Sequence, residues 1–474
     1  MQEEEEVPGM HDRIVGRHER LQQKNKGAIE NFLGKGDRAN AVAILPRYYG
    51  ELLTWALQRH IEENGWKIAR TLGYRGSKPV YIDVSTDCDS YENLLKDGQL
   101  LLERGDSHFI VTVDINLQWM NSVQVEGPAE SKEDIERFVN RVEFIARKRN
   151  FYRGKKIGFG VRIQFLSVKD KSWDSIVLDP AIKREVRANT INFLGKKNRW
   201  AEYGIPQKRG VLLAGEPGTG KTVICKALIA EADGVTCITT NAYGLSGDEY
   251  VTELYEMAQD LSPCIVFIED IDLIGLNREE YHYQSGPALL SLLNVLDGVE
   301  DKHGIVTVAT TNNLESLDRA ISQRPSRFDC VVKIPPPSLE ERKELLSLLC
   351  QKIPVDELAQ DYIARKSGHC TPAQLQEVIF SLAIQHTDEL PDSQATYLKV
   401  SKNDIDAAIS KIKGRNKYQI GFTIQDNHNG EKPDLAVTRK LNKRTMAVAE
   451  GRKVENTQRD IKRATEQETV ECLF

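Results

Sequence analysis

The sequence predicts an α/β fold. A parallel sheet surrounds a phosphate-binding loop, an α+β domain precedes it, and a helical module follows. Three observations carry this reading. First, Gly215-Glu-Pro-Gly-Thr-Gly-Lys221-Thr222 fits G-x-x-x-x-G-K-[ST] and lies between a short apolar run, Val211–Ala214, and a helix-spaced segment, 223–232. Second, Cys264-Ile-Val-Phe-Ile268 ends in Glu269-Asp270, as a central parallel strand with acids at its C-terminal edge would. Third, beyond Pro335-Pro-Pro337 the apolar spacing turns helical over 339–350, 355–365, 372–385 and 402–413.

From the start of the chain, residues 1–10 read as disordered, His11–Leu33 as a polar helical stretch and Arg38–Asn64 as an amphipathic helix. Strand-like runs follow at Pro79–Val84, Phe109–Ile115 and Ser122–Val125. A helix is expected from Ser131 to about Lys148, with Ser131-Lys-Glu-Asp134 as a possible capping box. A last strand, Ile157–Val168, closes this first domain. Another strand is expected at Ile305–Ala309, followed by Thr310-Thr311-Asn312. Residues from Arg415 to Phe474 are polar, mixed in charge and poor in aromatics, which reads as a flexible tail. The domains expected are 1–170, 171–336, 337–413 and 414–474.

Composition sets outer bounds. A chain of 474 residues forms two or three domains with cores of their own. No run of about 18 apolar residues occurs, so no membrane span and no membrane partner are expected. The acidic start, Met1–Glu6, lacks the apolar stretch of a signal peptide. Eight cysteines without a C-x-x-C pair read as free thiols of a reducing compartment, hence a cytoplasmic location. A net charge of −6 excludes no partner class.

The chemistry concentrates around the glycine loop. Gly215, Gly218 and Gly220 let backbone N–H groups turn inward, and with the following helix N-terminus they form an anion cradle of Glu216, Pro217, Gly218, Thr219, Gly220, Lys221, Thr222 and Val223. Lys221 would reach the β- and γ-phosphates, and the Thr222 hydroxyl would ligate Mg²⁺. Of the paired acids, Glu269 can hold Mg²⁺ through water and Asp270 can orient an attacking water. A polar side chain of Thr310-Thr311-Asn312 can bridge that water and the γ-phosphate. Arg324 and Arg327, three residues apart, can project charge toward a neighbouring subunit.

These residues in this order resemble the AAA family of ATPases within the AAA+ superfamily, over roughly Trp173–Ile412. Trp173–Pro180 resembles the family's entry segment, and Tyr203-Gly204-Ile205-Pro206 its adenine-side loop. Gly215–Thr222 is similar to Walker A and Ile265–Asp270 to Walker B. Asn312 takes the sensor-1 position, and Arg324 and Arg327 the arginine-finger positions. Leu292–Gly298 is similar to the helix after the second pore loop. The resemblance implies ATP with Mg²⁺, adenine near Gly204 and Ile205, a helical lid at 337–413, and a homo-oligomeric ring, a hexamer by family habit.

Three departures stand out. The family writes Walker B as Asp-Glu, whereas this chain has Glu269-Asp270. The water-orienting acid is therefore Asp270, about 1.5 Å shorter in reach. The subgroup that moves the Rieske iron–sulfur protein across the mitochondrial inner membrane carries the same inversion. Unlike that subgroup, this chain shows no transmembrane helix pattern. The lid has Thr371-Pro372-Ala373-Gln374 and no sensor-2 arginine.

The expected function is an ATP-hydrolysing machine that remodels or threads a protein substrate. Tyr243, in Asn241-Ala-Tyr243-Gly-Leu, is the candidate pore aromatic; it either grips polypeptide or packs on its own domain. Tyr281-His282-Tyr283 is placed like the second pore loop. The alternative is an ATP-switched scaffold or loader on nucleic acid. Its support is the basic run Arg141, Arg147, Lys148, Arg149, Arg153, Lys155 and Lys156, with Phe151 and Tyr152 interleaved. No N-K-x-D motif follows the loop to favour a GTPase.

Overall fold

A computed structural model describes residues 27–73, 78–116, 120–160, 162–167, 172–245, 248–276, 291–296, 303–314, 328–353, 355–386 and 398–415. A short helix, α1 (27–33), opens the described chain. Arg38–Pro46 is strand β1, not the first half of a helix, and Gly50–Glu63 is helix α2. Alternation explains the strand: Ala43 and Leu45 are buried while their neighbours are partly exposed. Pro46 then breaks the chain into a 3₁₀ turn, Arg47–Tyr49.

The first sheet is antiparallel in the order β1-β6-β5-β4-β2, with β3 also on β4. Its strands are β2 (Lys67–Leu72), β3 (Val80–Asp87), β4 (Ser90–Arg104), β5 (Ser107–Ile115) and β6 (Met120–Pro128). Helices α2 and α3 (Lys132–Lys148) pack on one face. Helix α1 covers part of the other, where Ile29 meets Leu101 and Ile110. The possible capping box at Ser131 is not formed: that side chain makes no cap hydrogen bond, because a 3₁₀ turn, Ala129–Ser131, already leads into the helix.

The second sheet has the order β13-β9-β12-β11-β10-β7-β8. Strands β9 (Lys208–Ala214), β10 (Thr236–Asn241), β11 (Cys264–Glu269), β12 (Ile305–Thr311) and β13 (Cys330–Lys333) are mutually parallel. The single strand expected at Ile157–Val168 is instead two short antiparallel strands, β7 (Lys156–Gly158) and β8 (Gln164–Phe165), which extend this sheet at β10. The chain leaves the first domain earlier than residue 170, since three residues of β7 are enough to join β10.

Helices α4 (Pro180–Asn189), α5 (Ile191–Leu194), α6 (Lys197–Glu202), α7 (Lys221–Glu231), α8 (Asp248–Asp260) and α9 (Ile271–Leu276) surround the sheet. Alternate strand residues feed two cores. Leu212, Ile238, Val266 and Ile268 face one, whereas Val211, Leu213, Cys237, Ile265 and Phe267 face the other. The first of these cores runs without interruption into the α2–α3 side of the first sheet. Each buried Val, Leu or Ile contributes roughly 1.5–3 kcal/mol, so a shared core of this kind holds two sheets together firmly. The lid helices Leu339–Leu349, Glu357–Lys366, Pro372–Gln385 and Lys402–Arg415 form a third core. Ser338 and Thr371 cap two of them with complete capping boxes.

The basic run at 141–156 is partly engaged internally. Arg149 pairs with Glu63, Lys155 with Asp87, and Lys156 donates to the carbonyls of Ala232 and Val235. Arg153 donates to the carbonyls of Asp260 and Ser262, and Arg141 lies over Phe144. Phe151 and Tyr152 pack into the aromatic core with Trp55 and Phe165. Arg147 and Lys148 stay exposed at the end of α3, so the run is engaged only in part.

Candidate active site

Parallel pairing aligns the C-terminal ends of the central strands. Thr311 lies opposite Ala214, and Asn241 opposite Glu269. The residues that follow therefore meet along one edge, the usual ligand edge of such a sheet. The loop between β9 and α7 turns on Gly218 (φ +81°) and Gly220 (φ +100°), conformations that side chains disfavour. Thr219 is buried and closes the turn by donating to the Glu216 carbonyl at 2.9 Å. Glu216, Pro217, Gly218, Thr222 and Val223 are exposed around it, and Gly220 is half-buried.

Lys221 is only 6% exposed. Its ammonium donates to the carbonyls of Gly215 (2.7 Å) and Glu216 (3.0 Å) and to Asn312 Oδ1 (2.7 Å). Asn312 Nδ2 donates in turn to Asp270 Oδ1 at 2.9 Å. Three residues chosen from sequence thus form one hydrogen-bonded chain across β9, β12 and β11. Burial pulls the Lys221 ammonium below its ordinary range, while the carboxylates of Asp270 and Asp272 push it back up. Burial, and then the neighbouring Asp270, raise the Glu269 carboxyl; Lys226 opposes them. Glu269 ends β11, and Thr222 is exposed in the first turn of α7.

Two further residues support this arrangement. Asp272, 5% exposed, accepts the Asn312 backbone N–H at 3.2 Å, and the Thr310 hydroxyl accepts that of Asp270 at 3.0 Å. Both stood in the runs that flagged the site, but only strand register shows what they hold. The lid also reaches the loop. Ala373 N–H donates to the Gly218 carbonyl at 3.3 Å, and a Cβ on Gly218 would lie 2.8 Å from Ala373 Cβ.

Gly204 and Ile205 lie in an exposed turn after α6, with Ile205 N–H donating to the Trp200 carbonyl at 2.9 Å. Tyr243 opens a 3₁₀ turn, Tyr243–Leu245, and is 81% exposed, so it does not pack on its own domain. Arg324, Arg327 and Tyr281-His282-Tyr283 lie outside the described residues. No helix among the described residues is long and apolar enough to cross a membrane.

Residues 211–336 match the sequence model of the ATPase family associated with various cellular activities (AAA). Over 224 residues the chain is 37% identical to the ATP-dependent zinc metalloprotease FtsH 3 of Sorangium cellulosum (strain So ce56), covering 45% of this chain and 37% of that one. It is 30% identical over 315 residues to the ATP-dependent zinc metalloprotease FtsH 1 of Alkaliphilus metalliredigens (strain QYMF), covering 64% and 50%. It is 33% identical over 213 residues to the ATP-dependent zinc metalloprotease YME1L of Drosophila melanogaster, covering 43% and 28%. The chain spans half or less of the length of these curated relatives. The zinc-protease pattern His-Glu-x-x-His does not occur in its 474 residues. Among the described residues, no group of three His, Cys, Asp or Glu could hold a metal ion.

Proposed function

We infer, from the AAA ATPase domain that this chain carries at 211–336, that it hydrolyses ATP and uses the energy to remodel or thread protein substrates. The observation that supports this reading best is the chain from Lys221 through Asn312 to Asp270. It joins an ammonium, an amide and a carboxylate, the groups that binding phosphate, bridging to water and orienting water would require. The loop N–H groups and Lys221 would bind the β- and γ-phosphates, and Gly204 and Ile205 would border adenine. Asp270 and Asn312 would position water in line with the γ-phosphate. Thr222 and Glu269 would hold Mg²⁺, which neutralises phosphate charge when bound. Arg324 and Arg327 would reach a neighbour's site, which makes the active form a ring. The exposed Tyr243 supports polypeptide as the moved substrate. The basic run, with Arg149 and Lys155 paired to acids and its aromatics buried or half-buried in the core, leaves the nucleic-acid reading second.

Lys221→Ala should abolish ATP binding. Asp270→Asn should keep binding and lower turnover at least about 100-fold, the range for loss of a positioned base. Binding of a fluorescent ATP analogue and phosphate release measure the two effects separately. Wild-type turnover by Asp270→Asn would move the catalytic role to Glu269 or Asp272.

A further inference from the structure

Arg47 lies far in sequence from every candidate site residue, in the 3₁₀ turn between β1 and α2. It is nonetheless one of the most buried charges of the chain, with a side chain 7% exposed. Its Nε donates to Glu253 Oε2 at 2.6 Å, and its guanidinium carbon sits 4.3 Å from the centre of the Tyr250 ring. Both partners are on α8. On its other side Nη1 donates to the Gly160 carbonyl at 3.4 Å, and the Phe159 ring centre is 5.8 Å away. An arginine in this position uses its planar fork and its ring-stacking face together, which lysine cannot do.

Those two groups of partners flank the Tyr243 turn. Phe159 and Gly160 continue β7, and Phe159 N–H donates to the Thr239 carbonyl of β10, the strand that ends in this turn. A Cβ on Gly244 would lie 3.3 Å from the Phe159 carbonyl oxygen, so the turn presses against that segment. On the far side, α8 begins at Asp248, shortly after the turn ends at Leu245. The base from which Arg47 reaches is held rigidly. Asn121 of β6 donates to the carbonyls of Pro46 and Arg47 at 2.8 and 3.1 Å. Farther along α8, Glu256 and Asp260 fall on the same helical face as Glu253, near Tyr48 and Tyr49. Arg153 caps the end of α8 through the Asp260 carbonyl.

We propose that Arg47 is a positioning residue that ties the N-terminal domain to both flanks of the Tyr243 turn and so fixes the angle at which Tyr243 is presented. The proposal rests on the reading that Tyr243 grips polypeptide. It adds that the first domain sets this grip, and that movement of that domain reaches the turn through Arg47, Phe159 and α8. The nucleotide site is not part of this path.

The test compares full-length wild type, Arg47→Met, Tyr250→Leu and Tyr243→Ala. Casein serves as the unfolded protein probe. For Arg47→Met, basal ATP turnover should stay within about twofold of wild type, because no reacting group is touched. Stimulation by casein should be lost, and amides of 243–260 should exchange at least about tenfold faster, with the first sheet still protected. Tyr250→Leu removes only the ring face and should give the same split more weakly, which decides the matter if Arg47→Met does not fold. Unchanged exchange over 243–260 in both variants would overturn the proposal, and so would equal loss of basal and stimulated turnover. Tyr243→Ala tests the underlying reading alone. If it keeps full casein stimulation, the gripping role fails whatever the exchange data show.

Discussion

Position 270 joins backbone conformation to the order of the paired acids. Asp270 has φ +52°, in the left-handed region that short polar side chains enter more readily than longer ones. This gives a local reason for aspartate at 270 with glutamate at 269. The exchange Glu269→Asp with Asp270→Glu restores the common family order yet puts a longer side chain on that backbone. Both carboxylates also move by about one bond length. Turnover should fall by on the order of 10–100-fold, as expected for a misplacement of about 1 Å. Phosphate release, read beside a thermal melt, measures it; a faster enzyme would mean that the native order restrains turnover. The candidate site residues that the structure brings together, Lys221, Asp270 and Asn312, stood out in the sequence because Lys221 closes a glycine loop and Asp270 and Asn312 each follow an apolar strand. Asp272 and Thr310 were visible, but register shows what they hold. Arg47 gave no signal, since its partners lie 113 and 206 residues away.

Among the elements, β9, β11 and β12 of the second sheet were the most legible, because buried parallel strands read as continuous apolar runs. The first sheet was harder. Strand β4 carries seven charged or amide side chains among its fifteen residues and does not alternate. The structure gives the reason: Leu100 and Leu102 face the core under α2 and α3, while Leu101 faces α1. Strand β1 was read as helix because Ala-rich segments suit either period. Helix α2 supplies a prediction of its own. His60 is buried edge-on against Phe138, with ring centres 4.2 Å apart. Burial first, then Arg141 and Arg104, hold its pKa down to about 4, against a smaller opposite effect of Glu63. A histidine depressed in the folded state is protonated more readily in the unfolded chain. Its stabilising effect is therefore complete above pH 6.5 and is lost as pH falls toward 4. Between pH 7 and 5 this amounts to about 2 kcal/mol. His60→Gln should show correspondingly less loss of stability over that interval in urea melts. Equal pH dependence of the two proteins would show that His60 does not titrate as described.

Across the whole molecule, the domain plan read from sequence needs one shift. The segment expected to close the first domain joins the ATPase sheet, and the two sheets share a core. A sequence pattern reports local burial and does not say which sheet a three-residue strand will complete, so this could not be read in advance. The shared core also means that the first domain does not swing freely on a linker between them. Assembly belongs to the same scale. If Arg324 and Arg327 act as the arginine fingers that the resemblance implies, each site would be completed by a neighbour. A finger supplied in trans contributes about 10³–10⁵ in rate in well-studied phosphoryl transfer. The direct measurement of this account mixes two inactive proteins. Arg324→Ala keeps an intact pocket but lacks the finger, and Lys221→Ala keeps the finger but cannot bind ATP. ATP turnover is followed against mixing ratio, with assembly monitored by light scattering. Each protein alone should be nearly inactive, and mixtures should regain turnover at interfaces pairing an intact pocket with an intact arginine. Full turnover by monomeric Arg324→Ala alone, with no gain on mixing, would contradict a finger supplied in trans.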